Sequence, residues 1–350
     1  MHKLPSPLFI ALVLFQAITG SHAQSQFEPS TEAHCNPLTG CGAVISEVDY
    51  NGHKAYRFGD AHSEAIVVPD LGRVMSYRLI DGANVLWTAT RHKFAPGEWK
   101  NYGGAKTWPS PQDSWPALIG RKWPPPEEWD RTATSDVLSG GTLRLTSVID
   151  PVTGTRLIRE FGLADDGDLV ISQTVEKMTG LPVTLGIWSI AQTPTPDFVL
   201  VPQTVHGTYA GYHWLDKPAM PPVVAAWNDG VLQVSPTLTS ASNLVADASE
   251  AWIVSVAGDV AFAQSSTDFP IAEKQANYSG TFPVAFYCTG PQKEPYAELE
   301  LLSPLHRFVA GSRWKQTQHW RLESLPSADG NNPATHSALV NFVEVLRANN

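Results

Sequence analysis

The chain is poor in cysteine, and this shortage excludes a class of folds. It has three cysteines in 350 residues, too few for a small fold held together by a disulfide framework. Cys35 and Cys41 flank a turn-rich NPLTG segment and can close a small loop in an oxidising compartment. Cys288 lies in the apolar run FPVAFYC and is predicted to be a buried free thiol. Since the cysteines do not have zinc-type spacing, we predict no metal site.

Positive charge is also scarce. The chain has 24 Lys and Arg against 34 Asp and Glu, a formal net charge of −10, and contains no Lys/Arg run. The basic groups that dominate affinity for phosphate backbones are therefore missing, and we predict no nucleic-acid partner. Charged residues make up 17% of the chain and hydrophobic residues 43%, a balance typical of a protein that buries a large core.

The chain has no apolar run long enough to span a bilayer. A short apolar run near its start has the features of a signal peptide. His2 and Lys3 precede the apolar run from Leu8 to Phe15, and small residues end at Ala23. This run is shorter than the roughly 20 residues that span a bilayer, so we predict a signal peptide over residues 1–23, cut after Ala23. The protein is then expected to be periplasmic or secreted, with a polar tail over residues 24–41 and no membrane span.

From residue 42 to residue 325 the chain alternates between short β-prone segments and turn signals. The clearest run extends from Leu143 to Gln192, where the connections DPVTG, ADDG and MTG are short enough to predict an antiparallel meander. Only 335–348 shows helical spacing, with Leu339, Phe342 and Val343 among its apolar positions. We predict one all-β domain of two large, mainly antiparallel packed sheets, followed over residues 326–350 by a linker and a short C-terminal helix.

The stretch NYGGAKTWPSPQDSWPALIGRKW, residues 101–123, combines aromatic rings with Gly and Pro punctuation. Rings held on a rigid loop can stack on the apolar face of a sugar, which makes Trp108 and Trp115 candidates for binding. Lys106 and Gln112 can hydrogen-bond to hydroxyl groups. An equally weighted alternative is that these rings fill one end of the sandwich.

Several segments in order resemble the galactose-mutarotase-like superfamily: GRVMSYRLIDGANVLW, NYGGAKTWPSPQDSW, PVTLGIWSIAQ and YAELELLSPLHRFVAGSRWKQTQHWRL. More narrowly, the chain resembles a bacterial domain of unknown function within that superfamily. The resemblance covers about residues 44–322. It implies a β-supersandwich with a carbohydrate cleft on one concave sheet.

The resemblance also implies catalytic positions, with two departures. Aldose mutarotases use a Glu as general base and a His as general acid, and Glu300 matches the Glu, with Glu298 on the same strand face. Tyr102 stands where a His is expected before Gly-Gly, and the segment from Trp188 to Gln192 stands at the second His position. Lys106 is a substitute acid if it is desolvated, and His206 or His213 are alternatives. Without the resemblance, a solvated face is the ordinary interpretation of the two glutamates.

Two hypotheses follow for the function. The first is an exported protein that binds a mono- or oligosaccharide and transfers a proton at its anomeric centre, without a cofactor. The second is a non-catalytic glycan-binding or cell-envelope module. A polysaccharide lyase or hydrolase is less favoured because the sequence shows no clear pair of separated acids. The oligomeric state is not predicted. The expected catalytic residues are Glu300 and Lys106, and the expected sugar-binding residues are Tyr102, Trp108, Gln112, Trp115, Trp188, Gln192 and Glu298.

Overall fold

Segments rich in β-branched and aromatic residues, separated by turns, fold into strands along almost the whole chain. A computed structural model describes residues 44–90, 94–95, 98–164, 166–203, 211–216, 220–228, 230–237, 239–246, 248, 250–266 and 283–348. The predicted signal peptide and polar tail, Cys35, Cys41 and His206 lie outside these residues.

In chain order the strands and helices are β1 (Val44–Tyr50), β2 (His53–Gly59), β3 (Ser63–Val68), β4 (Arg73–Leu79), β5 (Ala105–Ser110), α1 (Trp115–Ile119), β6 (Thr132–Leu138), β7 (Thr142–Ser147), β8 (Thr155–Leu163), β9 (Leu169–Lys177), β10 (Val183–Thr193), β11 (Phe198–Pro202), β12 (Tyr212–Asp216), β13 (Val223–Asn228), β14 (Val231–Ser235), β15 (Ser242–Ala246), β16 (Trp252–Ala257), β17 (Val260–Ser265), β18 (Val284–Cys288), β19 (Ala297–Leu302), β20 (His306–Phe308), β21 (Arg313–Ser324) and α2 (Pro333–Ala348). Short 3-10 turns occur at Pro69–Leu71 and Gln112–Ser114.

The strands form two antiparallel sheets. The first has eleven strands in the order β1-β2-β3-β4-β5-β10-β19-β18-β15-β12, with β20 paired to β10. The second has ten strands in the order β13-β14-β11-β16-β17-β21-β9-β8-β7-β6. The predicted all-β class with two large sheets and one C-terminal helix is confirmed.

The main core lies between the sheets and draws on both. Phe286 and Leu299 of the first sheet and Phe161 and Trp320 of the second belong to one buried cluster. Alternation along each strand produces this core, because every second side chain faces the opposite sheet. Cys288 is a buried free thiol in this cluster, as predicted.

Helix α2 covers a second apolar surface at one end of the ten-stranded sheet. Its buried residues Leu339, Phe342, Val343 and Leu346 pack in a cluster that includes Trp252. The helical spacing in the sequence therefore predicted both the helix and its buried face correctly.

The predicted meander is correct for three strands and wrong for the fourth. Strands β7, β8 and β9 pair in succession, but β10 crosses to the other sheet, and β9 pairs instead with β21. Strand β10 joins β5 and β19 there because every one of its eleven residues except Thr184 is buried or half-buried and needs cover. This crossing brings distant parts of the chain together at the centre of the first sheet.

Among the described residues, no helix has the length and apolar character needed to cross a bilayer.

Candidate functional site

Three neighbouring strands, β5, β10 and β19, bring the predicted polar residues to one sheet face. Ile190 of β10 is in register with Lys106 of β5 and with Glu300 of β19. Gln192, two residues further along β10, is in register with Glu298. Since residues two apart share a face, all these side chains project from the same side of the sheet, opposite the main core.

Glu298 is held by two donors. Lys106 Nζ donates to Glu298 Oε1 at 2.9 Å, and Gln192 Nε2 donates to the same oxygen at 2.8 Å. Only 9% of Glu298 is exposed. The ionised form of Glu298 is therefore matched by a cation and an amide within hydrogen-bond distance.

Glu300 lies in a different environment on the same strand face. Trp188 Nε1 donates to Glu300 Oε2 at 2.8 Å, and Glu300 is 3% exposed. Burial, followed by the negative charge of Glu298, raises the pKa of Glu300 from 4.5 to about 8, against the opposing effects of Trp188 and Lys106. The interpretation of these two glutamates as a solvated strand face is wrong, and near neutral pH Glu300 holds its proton.

Lys106 is enclosed by aromatic rings. It is 1% exposed, and its Nζ lies 4.4 Å from the centroid of Trp108 and 5.0 Å from that of Trp99. Burial lowers the pKa of Lys106, while the charge of Glu298 opposes that shift. Ring faces and one carboxylate therefore stabilise the ammonium group in place of water.

Five tryptophans form a packed group beside these residues. Ring centroids lie 5.6 Å apart between Trp108 and Trp188, 5.8 Å between Trp108 and Trp115, and 4.9 Å between Trp99 and Trp123. Trp115 is completely buried, and its indole N–H donates to the Pro109 carbonyl at 2.9 Å. Trp115 and the 3% exposed Trp108 are thus packing residues, which agrees with the alternative that these rings fill the fold.

The expected rigid loop at residues 101–123 is partly regular structure. It contains β5, a 3-10 turn and α1. Thr107 N–H points away from β10 and donates to the Asp130 carboxylate at 3.3 Å. Pro109 lies two residues further on, so its nitrogen faces the same edge, where no strand of the described chain pairs with it. Proline is therefore compatible with this strand.

Four buried polar atoms around the site have no hydrogen-bond partner among the described parts of the chain. They are two donors and two acceptors: Trp99 Nε1, Trp108 Nε1, Asn101 Oδ1 and Gln192 Oε1. Because a buried polar group without a partner costs about 1–3 kcal/mol, such atoms are rare and informative. All four belong to the ion pair's immediate surroundings or to the adjoining cleft described below.

Three other candidates lie outside this group. Tyr102 packs against Phe94 at 4.9 Å and under the Arg73 guanidinium at 5.8 Å. Gln112 is exposed in the 3-10 turn. His213 of β12 shares the sheet face with Glu300 but lies three strands away, about 14 Å at the usual strand spacing.

Residues that the sequence did not single out complete the surroundings. Trp87, Trp99, Asn101 and Tyr296 line a cleft of about 600 Å³ next to the ion pair. Tyr296 was detectable, since it alternates with Glu298 and Glu300 on one strand face. Trp87 and Trp99 had no such signal, because their position depends on how loops fold back onto the sheet.

No group of three or more His, Cys, Asp or Glu in the described ranges is arranged to hold a metal ion.

No protein-family model and no curated protein matches the chain, but solved structures do. A candidate aldose 1-epimerase from Escherichia coli is 14% identical, with a TM-score of 0.51, covering 81% of this chain and 100% of its own. A candidate mutarotase from Salmonella typhimurium is 11% identical, with a TM-score of 0.50, covering 80% and 94%. A Synechocystis protein is 11% identical, with a TM-score of 0.51, covering 80% and 99%.

At these identities the similarity concerns the fold alone. It covers about four fifths of the chain and nearly all of each neighbour, so it describes the whole sandwich rather than a shared fragment. The chain has the two-sheet, galactose-mutarotase-like sandwich fold.

Proposed function

We propose that this protein binds a carbohydrate at the face built by Lys106, Gln192, Glu298 and Glu300, and that the two glutamates transfer protons at the sugar's anomeric centre. The observation that carries the proposal is the convergence of these four side chains from three strands. The fold neighbours described as mutarotase or aldose 1-epimerase candidates support it as an analogy.

The charge balance of the site fits a neutral, polyhydroxylated ligand. Lys106 and ionised Glu298 cancel, and Glu300 is uncharged near neutral pH. The unpartnered indole N–H groups and amide oxygens offer two donors and two acceptors, and a sugar hydroxyl can both donate and accept. A strongly charged ligand would leave one of the buried charges uncompensated.

The different environments of the two carboxyl groups suggest their roles. Ionised Glu298 accepts the proton of the anomeric hydroxyl as the C1–O5 bond breaks and a carbonyl forms at C1. The ring oxygen takes the electron pair of the broken bond and the proton held by Glu300. Reclosure on the other face of the carbonyl reverses both transfers and gives the other anomer. A carboxyl group whose raised pKa keeps it protonated near neutral pH, as for Glu300, suits the acid role in such acid–base work.

This assignment differs from the one that the resemblance implies. There Glu300 is the base and Lys106 the substitute acid. The raised pKa of Glu300 favours the acid role instead. Lys106 then acts as a positioning residue that holds the Glu298 carboxylate through the 2.9 Å ion pair.

A non-catalytic glycan-binding module is the second candidate, and burial favours it. Glu298 and Glu300 are 9% and 3% exposed and do not line the 600 Å³ cleft. Direct contact with a sugar therefore requires covering side chains to move. If they do not move, the ion pair only supports the cleft wall.

Anomer exchange measured by NMR separates the two candidates. Wild-type protein is expected to accelerate α/β exchange of at least one of glucose, galactose and N-acetylglucosamine, and Glu298→Gln and Glu300→Gln are each expected to lower the rate at least 100-fold. Glu47→Gln, at an exposed ion pair on β1, is the matched control and keeps the rate. Exchange at the buffer rate for every sugar would end the catalytic proposal. Binding with no exchange would favour the module.

We further propose that the protein is exported through its predicted signal peptide, and that it is related to the bacterial domain of unknown function that its motifs resemble. The basic start, the apolar run from Leu8 to Phe15 and the small residues ending at Ala23 support the export. N-terminal sequencing of protein from a periplasmic fraction tests it. A mature chain that begins at residue 24 is expected, and a chain that retains Met1 would contradict it.

A further inference from the structure

A second feature lies beside the proposed site: a cleft of about 600 Å³. Its volume is within the range of about 300–1,000 Å³ that small-molecule pockets have. Aromatic and polar side chains line it together, among them Trp87, Trp99, Asn101, Gln292 and Tyr296. Such mixed walls are typical of surfaces that bind the apolar faces and the hydroxyl edges of sugars.

Trp87 and Tyr296 form the aromatic wall of this cleft. Their ring centroids lie 4.7 Å apart at an interplanar angle of 32°. Both side chains are half-buried, so part of each ring faces the cleft. Glu294, anchored to the Thr90 backbone and hydroxyl, holds the loop before Tyr296 against the loop after Trp87.

The cleft is fixed to the proposed site through the backbone. Trp87 N–H donates to the Gln192 carbonyl at 2.8 Å, and the Trp87 carbonyl accepts from Gly104 N–H at 2.8 Å. Gly103 fits here because its φ is +83° and a Cβ would lie 2.3 Å from the Trp87 carbonyl oxygen. Backbone hydrogen bonds therefore hold Trp87 beside Gln192 at the end of β10.

Two side chains belong to both the cleft and the ion-pair surroundings. Trp99 lines the cleft and places its ring 5.0 Å from Lys106 Nζ. Tyr296 lines the cleft and lies against the side chains of Asn101 and Gln192. Burial, followed by the negative charge of Glu298, raises the pKa of Tyr296. The cleft and the glutamates are thus separated only by side chains that touch both.

Two of the unpartnered buried atoms are on cleft-lining residues. Trp99 Nε1 is a donor and Asn101 Oδ1 an acceptor, and neither has a hydrogen-bond partner within the described chain. Both residues line the cleft beside the aromatic wall, and because the two atoms are buried, a sugar ring bound there reaches them with its hydroxyl groups only if these side chains move. This is the pattern of a polar group kept for a ligand rather than for the fold.

We propose that this cleft binds a second sugar ring, so that the ligand is a disaccharide or longer oligosaccharide whose reducing ring lies toward Glu298. The inference rests on the proposed carbohydrate function and specifies its substrate class. The reducing ring takes the inner position because the proposed acid and base act on an anomeric carbon. The next ring packs against the parts of Trp87 and Tyr296 that face the cleft.

Calorimetric titration with matched glucose and cellobiose, galactose and lactose, and N-acetylglucosamine and chitobiose tests this. At least one disaccharide is expected to bind about tenfold more tightly than its monosaccharide, the gain that one stacked ring supplies. Trp87→Ala should remove that gain, with a larger loss of affinity for the disaccharide than for the monosaccharide. Trp227→Ala, at the other sheet against the cluster under α2, is the matched control and keeps the gain.

Saturation-transfer NMR on the wild type gives a second measurement that does not depend on a variant folding. Protons of both rings are expected to receive saturation from the protein. Equal affinities for mono- and disaccharides, equal losses for both on Trp87→Ala, or saturation of one ring only would overturn the second-ring site and leave the proposed function standing. Absence of binding by every sugar would overturn both.

Discussion

Replacing Glu300 with glutamine removes a buried carboxyl group whose pKa is raised to about 8. Glutamine has nearly the same shape as a protonated glutamate and can still accept from the Trp188 indole. It cannot ionise. The substitution therefore changes how stability depends on pH while preserving the packing around β19.

The expected magnitude follows from proton linkage. Between pH 4.5, the ordinary value, and about pH 8, the folded state keeps a proton on Glu300 that the unfolded chain releases. The folded state then binds more protons, so the free energy of unfolding falls as the pH rises through this window. A shift of this size corresponds to at most about 5 kcal/mol, present below pH 4.5 and lost by pH 8.

Urea denaturation at half-unit steps from pH 5 to pH 9 measures this effect. Between pH 5 and pH 9 the wild type is expected to lose up to about 4 kcal/mol more stability than Glu300→Gln, so that the variant is the more stable protein above pH 8. Glu47→Gln should follow the wild type. Parallel curves for the wild type and Glu300→Gln would refute the raised pKa, and with it the assignment of Glu300 as the acid.

Three further predictions concern the same region. Lys106→Met leaves Glu298 buried without its cation and should lower the free energy of unfolding by about 3–5 kcal/mol in urea denaturation. Adding Glu298→Gln to this variant should restore most of the lost stability. If the losses of the two single variants simply add in the double variant, the ion pair does not stabilise the fold. Gly103→Ala should cost at least about 2 kcal/mol more than Gly120→Ala, because both glycines have positive φ but only Gly103 meets backbone; equal costs would count against this. Trp115→Ala should cost about 3–5 kcal/mol of unfolding free energy, and a loss under 1 kcal/mol would show that it is not a packing residue.

Much of the fold was readable from local patterns. Alternation and turn residues predicted the strands, and the spacing of Leu339, Phe342 and Val343 predicted α2. The path of β10 was not readable, because a short connection favours a meander and only tertiary packing directs this strand to β5 and β19. Strand pairing between distant segments is decided by side-chain burial on both faces, which local propensity does not encode.

The candidate site was predicted in part for the same reason. Glu298 and Glu300 were detectable from alternation in AELELL, and Gln192 from its spacing to Trp188. The ion pair between Lys106 and Glu298 joins residues 192 positions apart, so no local pattern encodes it. The resemblance placed these strands in one cleft, and the structure supplies their register.

The aromatic stretch at residues 101–123 was interpreted either as a sugar-binding surface or as rings that fill the fold, and the structure separates its buried rings from the residues that line the cleft. Trp108 and Trp115 are buried packing residues. Asn101, at the start of the stretch, and Trp99, just before it, line the cleft. Composition identified an aromatic region but could not say which rings face a ligand, since that depends on loops folding against Tyr296.

A crystal structure determined with a saturating disaccharide tests the central claim most directly. We expect one sugar ring over Trp87 and Tyr296, and the reducing ring within hydrogen-bond distance of Glu298, with the side chains of Trp99 or Tyr296 displaced to admit it. Sugar bound at another surface, or no sugar density in the cleft at saturation, would contradict the assignment of this face as a carbohydrate site.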